Sequence, residues 1–291
     1  METKRAKIML WVVVLVCITT MVAVAADPAP AKPAETGSGA AKPKAAQSAT
    51  DLAKQTQNPV ADLISLPFQW NTYFETGPLG RTQNVLLIQP VIPIHLNDDW
   101  NFIARPIIPI IDSAPMFEGQ DRNTGLGDIE FEGFFTPKAK VMGNWTIGIG
   151  PALQFPTNTG PDGRYGNDNW AAGPALLLMQ SKGHWVFGGL FTHLWSYAGS
   201  DDEINTSSLQ PFVNYNLKDG WYLHSDPTFK YNWSADSSEA WTVPVGGGLG
   251  KVVKIGKMPV NLRLASYYFA EAPRSGSDWQ LQFQVQLLFP E

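Results

Sequence analysis

The chain has one cysteine, Cys17, and it lies inside an apolar N-terminal stretch. "METKRAKIMLWVVVLVCITTMVAVAADP" is built like a secretory signal peptide. Lys4, Arg5 and Lys7 precede a mostly apolar run from Ile8 to Val22, and Ala23-Val24-Ala25 supplies the small residues of a cleavage site. Cleavage after Ala25 or Ala26 leaves a mature chain without cysteine, which excludes disulfides and thiol chemistry. Val16, before Cys17, is not the small residue that a lipoprotein site uses. The run is also short for a spanning helix, which needs ~20 residues. An uncleaved anchor is therefore the lesser reading.

Positive charge is scarce too. Loss of residues 1–25 removes three basic residues against Glu2, and the formal charge of −5 becomes −7. An acidic exported chain is a poor candidate for binding nucleic acid. There are four histidines, His95, His184, His193 and His224. No two have ligand spacing on one strand, so no metal site and no cofactor is expected. The loops "DGRYGNDN" and "GSDDE" offer oxygen ligands for weak Ca²⁺ or Mg²⁺ binding, but solvated loops are the preferred reading. "GGGLG" (246–250) lies within a strand pattern, where glycines relieve curvature or make room for a bulky neighbour rather than cradle phosphate.

Convincing amphipathic helices are missing after Phe68. Residues 26–52 read as a flexible Pro/Ala-rich periplasmic linker. Residues 53–66 read as a short lead-in or plug, with one or two helical turns broken at Pro59. Its role is left between a periplasmic plug, a lumen-lining segment and a plain lead-in. From 67 to 291 about a dozen segments show period-two character: 67–75, 83–96, 100–111, 125–136, 145–155, 170–180, 185–197, 209–217, 221–233, 241–253, 259–270 and 279–289. Short connections such as "NDD", "SKGH" and "KDG" alternate with long polar ones such as "DSAPMFEGQDRNT" and "PTNTGPDGRYGNDN". The fold class expected is all-β: a closed, antiparallel, up-and-down transmembrane barrel of 12 strands, with short turns on the periplasmic side and both ends there.

The aromatic load is high, with 11 Trp, 15 Phe and 8 Tyr. Trp100, Trp145, Trp185, Trp221 and Trp241 open assigned strands. Trp70, Trp170, Trp195, Trp233 and Trp279 lie near strand ends. Two interfacial girdles place them there.

A strand sends successive side chains to opposite faces. In "DWQLQFQVQLLFPE", Leu281, Phe283, Val285, Leu287 and Phe289 share one face, opposite Gln280, Gln282, Gln284 and Gln286; only Leu288 breaks the pattern. In "GDIEFEGFF", Asp128, Glu130 and Glu132 alternate with Ile129 and Phe131. In "WYLHSDPTFKYNW", His224, Asp226 and Lys230 alternate with Leu223, Phe229 and Tyr231. A charge on lipid near the midplane costs ~2–4 kcal/mol, so the polar rows are read as lumenal. Arg105, Lys230 and Arg263 are the expected partners of Asp128, Glu130, Glu132 and Asp226. Gln280, Gln282 and Gln284 complete the expected lining.

Proline lacks the amide donor of a ladder. "IQPVIPI" and "ARPIIPI" therefore predict bulges or gaps at Pro90, Pro93, Pro106 and Pro109, aligned across the hairpin. No catalytic residue is expected: Thr192 and Ser196 lie near His193, but no motif joins them, and the chain is read as a non-enzyme.

The stretches "NPVADLISLPFQWNT", "RTQNVLLIQPVIP", "GLGDIEFEGFFTP", "LQPFVNYNL", "WTVPVGGGLGK" and "WQLQFQVQLLFP" together resemble a family of Gram-negative outer-membrane β-barrel proteins. Its members are labelled transporters, are often mislabelled neuromedin U, and are similar to outer-membrane proteins named for the phenol meta-degradation pathway. The resemblance implies an outer-membrane barrel with a transport role, no established substrate and no catalytic residues to carry over. The expected function is a porin-like channel for a small solute, with hydrophobic or aromatic solutes foremost. The alternatives are a non-conducting surface or structural protein and, below it, a lipid-modifying enzyme. Outer-membrane lipid, lipopolysaccharide, the barrel-assembly machinery and the solute are the expected partners.

Overall fold

The computed structural model describes residues 49–141, 143–160, 165–201, 203–256 and 258–289. The expected signal peptide and most of the expected linker lie outside the described residues.

The first element is a helix, α1 (Ala49–Thr56), which begins within the stretch read as linker. It stops just short of Asn58-Pro59, because the residue before proline is pushed out of the helical region. The Asn58 side chain then accepts the Val60 amide at 3.0 Å and turns the chain.

Fifteen strands follow: β1 (Ile64–Thr76), β2 (Arg81–Ile88), β3 (Ile92–His95), β4 (Trp100–Ser113), β5 (Asn123–Leu126), β6 (Ile129–Pro137), β7 (Trp145–Phe155), β8 (Asn169–Lys182), β9 (Trp185–Gly199), β10 (Asn205–Asn216), β11 (Trp221–Ser225), β12 (Phe229–Asn232), β13 (Trp241–Ile255), β14 (Met258–Glu271) and β15 (Trp279–Phe289). They trace twelve staves, because β2/β3, β5/β6 and β11/β12 are each one stave with a break. Every neighbour pair is antiparallel, and β15 pairs with β1 from Phe289↔Ile64 to Trp279↔Phe74, which closes the barrel. The boundary expected at 209 moves to Asn205, so the connection between β9 and β10 is shorter than the sequence pattern predicts.

Closure removes the free edges that an open sheet would expose. Tight hairpins supply the reversals on the side of α1. Asp219 and Gly220 both have positive φ, 56° and 76°. That pair suits the primed turn whose twist matches the flanking strands.

The prolines behave as two cases. Pro90 lies in the break between β2 and β3, and the β4–β6 ladder stops just before Pro109, where the Gly127 amide bonds the Pro109 carbonyl at 2.8 Å. Pro93 sits in continuous pairing with Ile103, a correction to the gap expected there, while Pro106 pairs with Phe131 on one side and lies in a ladder gap on the other. The alignment across the hairpin holds. Between Ile88↔Ile108 and Ile92↔Ala104, three residues on each stave are unpaired, and they place Pro90 opposite Pro106.

The last strand shows the two faces. Leu281, Phe283 and Phe289 are 40–47% exposed, while Gln282, Gln284 and Gln286 are 5–7% exposed. The oily row therefore points outward and the amides inward. Trp100 and Trp221 stand exposed at the short-turn end, and Trp170, Trp195, Trp233, Trp241 and Trp279 at the long-loop end, as two aromatic girdles.

The interior differs in part from expectation. The inward row is amide and charge along β14, β15 and β1. Along β8 and β9 it is mostly apolar, and Ile103, Phe134, Leu177, Met179, Val186, Leu190 and Phe212 form one buried cluster. Strands β8 and β9 are apolar on both faces. Their near-continuous runs, "ALLLM" inside "NWAAGPALLLMQSK" and "WVFGGLF", were the available signal, since a strand greasy on both faces is buried on both.

Candidate functional site: the barrel lumen

The two expected ion pairs that form are both inward. Arg105 on β4 stands directly opposite Glu132 on β6, and its Nη1 donates to Glu132 Oε2 at 2.7 Å. Arg263 on β14 reaches Asp226, in the break between β11 and β12, and donates to its Oδ2. The same Nη2 lies 2.9 Å from His224 Nδ1. Tyr267 OH donates to Asp226 Oδ1 at 2.6 Å. Asp226 keeps the inward parity of Tyr222 and His224 and so faces β14 across β13.

From there an amide chain runs along the wall. Tyr222 OH donates to Asn261 Oδ1 at 2.7 Å, Asn261 Nδ2 to Gln286 Oε1 at 3.0 Å, and Gln286 Nε2 to Ser65 Oγ at 3.0 Å. Gln284 joins at Gln286 Oε1, and Gln280 donates to Asn71 Oδ1 at 2.8 Å. Gln282 is buried beside them. Gly250 on β13 makes room for this row: a Cβ there would sit 2.1 Å from the Tyr222 ring.

Three expected lining residues have other surroundings. Asp128 does not pair with a cation but binds the loop after β7. Its Oδ1 accepts from Thr157 N, Asn158 N and Asn158 Nδ2 at 2.9–3.2 Å, and its Oδ2 from Asn167 N at 2.8 Å and Gln154 Nε2 at 3.2 Å. A carboxylate that collects several N–H donors holds a loop in place. Glu130 faces Ile107 and Gln154 in the register without such a set. Lys230 shares the inward row with Ser208 and Thr242 and is exposed to solvent. Asp128→Ala is expected to free the 156–168 loop, because each buried donor left unpaired costs ~1–3 kcal/mol. Limited proteolysis of the folded barrel checks this: new cleavage confined to that loop is the expected result, and an unchanged digestion pattern refutes the role.

The sequence reading left the segment before β1 open between three roles; its contacts lie inside the barrel. Leu52, Ala53, Ala61 and Leu63 are buried in one cluster with Tyr222, Val252 and Leu288. Gln57 and Asn216 form a reciprocal amide pair, Nε2 to Oδ1 and Nδ2 to Oε1, both 3.0 Å. Leu288, the one break in the terminal alternation, points inward to meet this segment. Above it lies a cavity of about 120 Å³ lined by residues 55–59 and, among others, Arg105, Phe212, Asp226, Arg263 and Gln284.

His193 faces outward rather than into the lumen. Its Nδ1 lies 2.7 Å from Ser207 Oγ, which also accepts the Trp233 indole N–H at 2.9 Å. Its ring packs on Trp195 at 3.9 Å. Neither Thr192 nor Ser196 is its hydrogen-bond partner.

The sequence matches no protein-family model and no curated protein. Solved structures do match. The COG4313 outer membrane channel from Pseudomonas putida F1 superposes with a TM-score of 0.59 at 14% identity, covering 78% of this chain and 94% of that one. The NanC porin superposes with a TM-score of 0.50 at 10% identity, covering 78% and 100%. A weaker likeness, TM-score 0.43 at 13% identity over 79% and 99%, is to outer membrane phospholipase A from Escherichia coli. At these identities the first two show a shared barrel fold.

Proposed function

We propose that the chain is a porin-like channel of the Gram-negative outer membrane, carrying a small solute through a lumen narrowed on the side of α1 by residues 49–63. One observation carries the reading: a closed twelve-stave barrel presents a belt of exposed apolar side chains outside and a wall of amides and charges on one side of its interior. No water-soluble body gains from that arrangement, and a bilayer requires it. The structural neighbours, an outer-membrane channel and a porin, support it. The lumen has one apolar wall and one amide wall, and this favours a solute with an apolar body and a polar end over a freely hydrated ion.

The test is reconstitution. Purified protein is expected to run heat-modifiably on a gel, as folded barrels do, and to give discrete conductance steps in a planar bilayer. A heat-modifiable barrel that stays electrically silent, even without residues 49–63, refutes the channel. The second reading, a non-conducting surface protein, is favoured by the buried Gln57–Asn216 pair, which keeps the N-terminal segment seated inside. The same experiment decides between them.

A further inference from the structure

The lumenal cavity is lined by two guanidiniums, Arg105 and Arg263, and by one carboxylate, Asp226; Glu132, the partner of Arg105, does not line it. The charge facing the space is therefore positive. Each arginine is only partly spent. Arg105 uses Nη1 on Glu132, and Arg263 uses Nη2 on Asp226 and His224, while Nε of both is buried without a hydrogen-bond partner. A guanidinium presents five donors in a fixed fork suited to a carboxylate. Amides from Gln69, Gln89, Gln210 and Gln284 surround the pair, and Val91, Leu63 and Phe212 give the space an apolar side. The volume of about 120 Å³ is on the scale of the ~150 Å³ protein cavity that accepts benzene.

We propose that this cavity is a solute subsite for a small carboxylate with an apolar body, the carboxylate held between Arg105 and Arg263 and the body against Phe212 and Val91. The inference deepens the channel reading and rests on it. The ion pairs with Glu132 and Asp226 hold the two guanidiniums in place before the solute arrives, so little side-chain ordering remains to be done on binding. The amides discriminate little among carboxylates and cost less to desolvate than further charges would, which suits a site that must also release its cargo.

The experiment is calorimetry on the full mature chain in detergent, titrated with benzoate, with benzyl alcohol as the uncharged analogue, and with acetate as the carboxylate without the apolar body. Benzoate is expected to bind about tenfold tighter than either, since charge-assisted hydrogen bonds are roughly twice as strong as neutral ones. The paired variants Arg105→Gln/Glu132→Gln and Arg263→Gln/Asp226→Asn, which leave no lone buried charge, are expected to abolish that preference. Heat-modifiability confirms their fold, and the wild-type ligand series stands without them. Benzyl alcohol binding as tightly as benzoate overturns the proposal, as does a benzoate preference that survives in both folded variants. A conducting barrel without the preference overturns this inference alone; a silent barrel that keeps it supports the subsite and overturns the channel reading.

Discussion

Removal of residues 49–63 is expected to raise single-channel conductance several-fold without unfolding the barrel. The segment buries Leu52, Ala53, Val60, Ala61 and Leu63 inside the lumen and hangs on Asn216 by two amide hydrogen bonds. None of these residues belongs to the closing ladder, whose first pairing is Ile64↔Phe289. Deletion should therefore cost packing but leave the staves intact. A milder variant, Gln57→Leu, removes both bonds to Asn216, whose Nδ2 keeps its bond to the His184 carbonyl, and is expected to give flickering openings. At ~1 kcal/mol per hydrogen bond, loss of the pair shifts occupancy of the seated state but does not empty it. Conductance traces check this, with mean current expected to rise from the full chain through Gln57→Leu to the deletion. Equal currents in all three would mean that the segment does not limit the path.

The second large effect lies on the outer face. Phe283→Arg is expected to destabilise the bilayer-inserted barrel by ~2–4 kcal/mol, and Phe289→Arg, at the strand end, by only ~0–1 kcal/mol. Phe283 is 47% exposed in mid-strand, opposite Leu264 on β14 and Trp70 on β1. Without a bilayer, two such exposed positions would tolerate arginine equally. Urea titration of refolded barrel in lipid vesicles measures both. Equal small losses at the two sites would remove lipid from the outer face, and the channel reading with it.

The amide row of β15 and the carboxylates of β6 were legible in the sequence because the side-chain period of a strand is two, whatever it packs against. For the same reason the pairs Arg105–Glu132 and Arg263–Asp226 lay among the expected partners. Asp128 shared that period but not that role. Its neighbours come from a loop about thirty residues later, and periodicity says nothing about what a loop folds onto. The apolar half of the lumen was written in β8 and β9, but a continuous greasy run does not say what covers its second face.

Alternation, turn length and the placing of tryptophan determined by themselves that this chain closes into a barrel with an oily outside, because those signals are local and each strand carries its own. Which inward residues meet was decided only by the tertiary structure. The register through β13 brings Arg263 to Asp226, and closure on β1 sets Leu288 against α1. That contact lies more than two hundred residues away along the chain, and the only local trace of it was one leucine out of step.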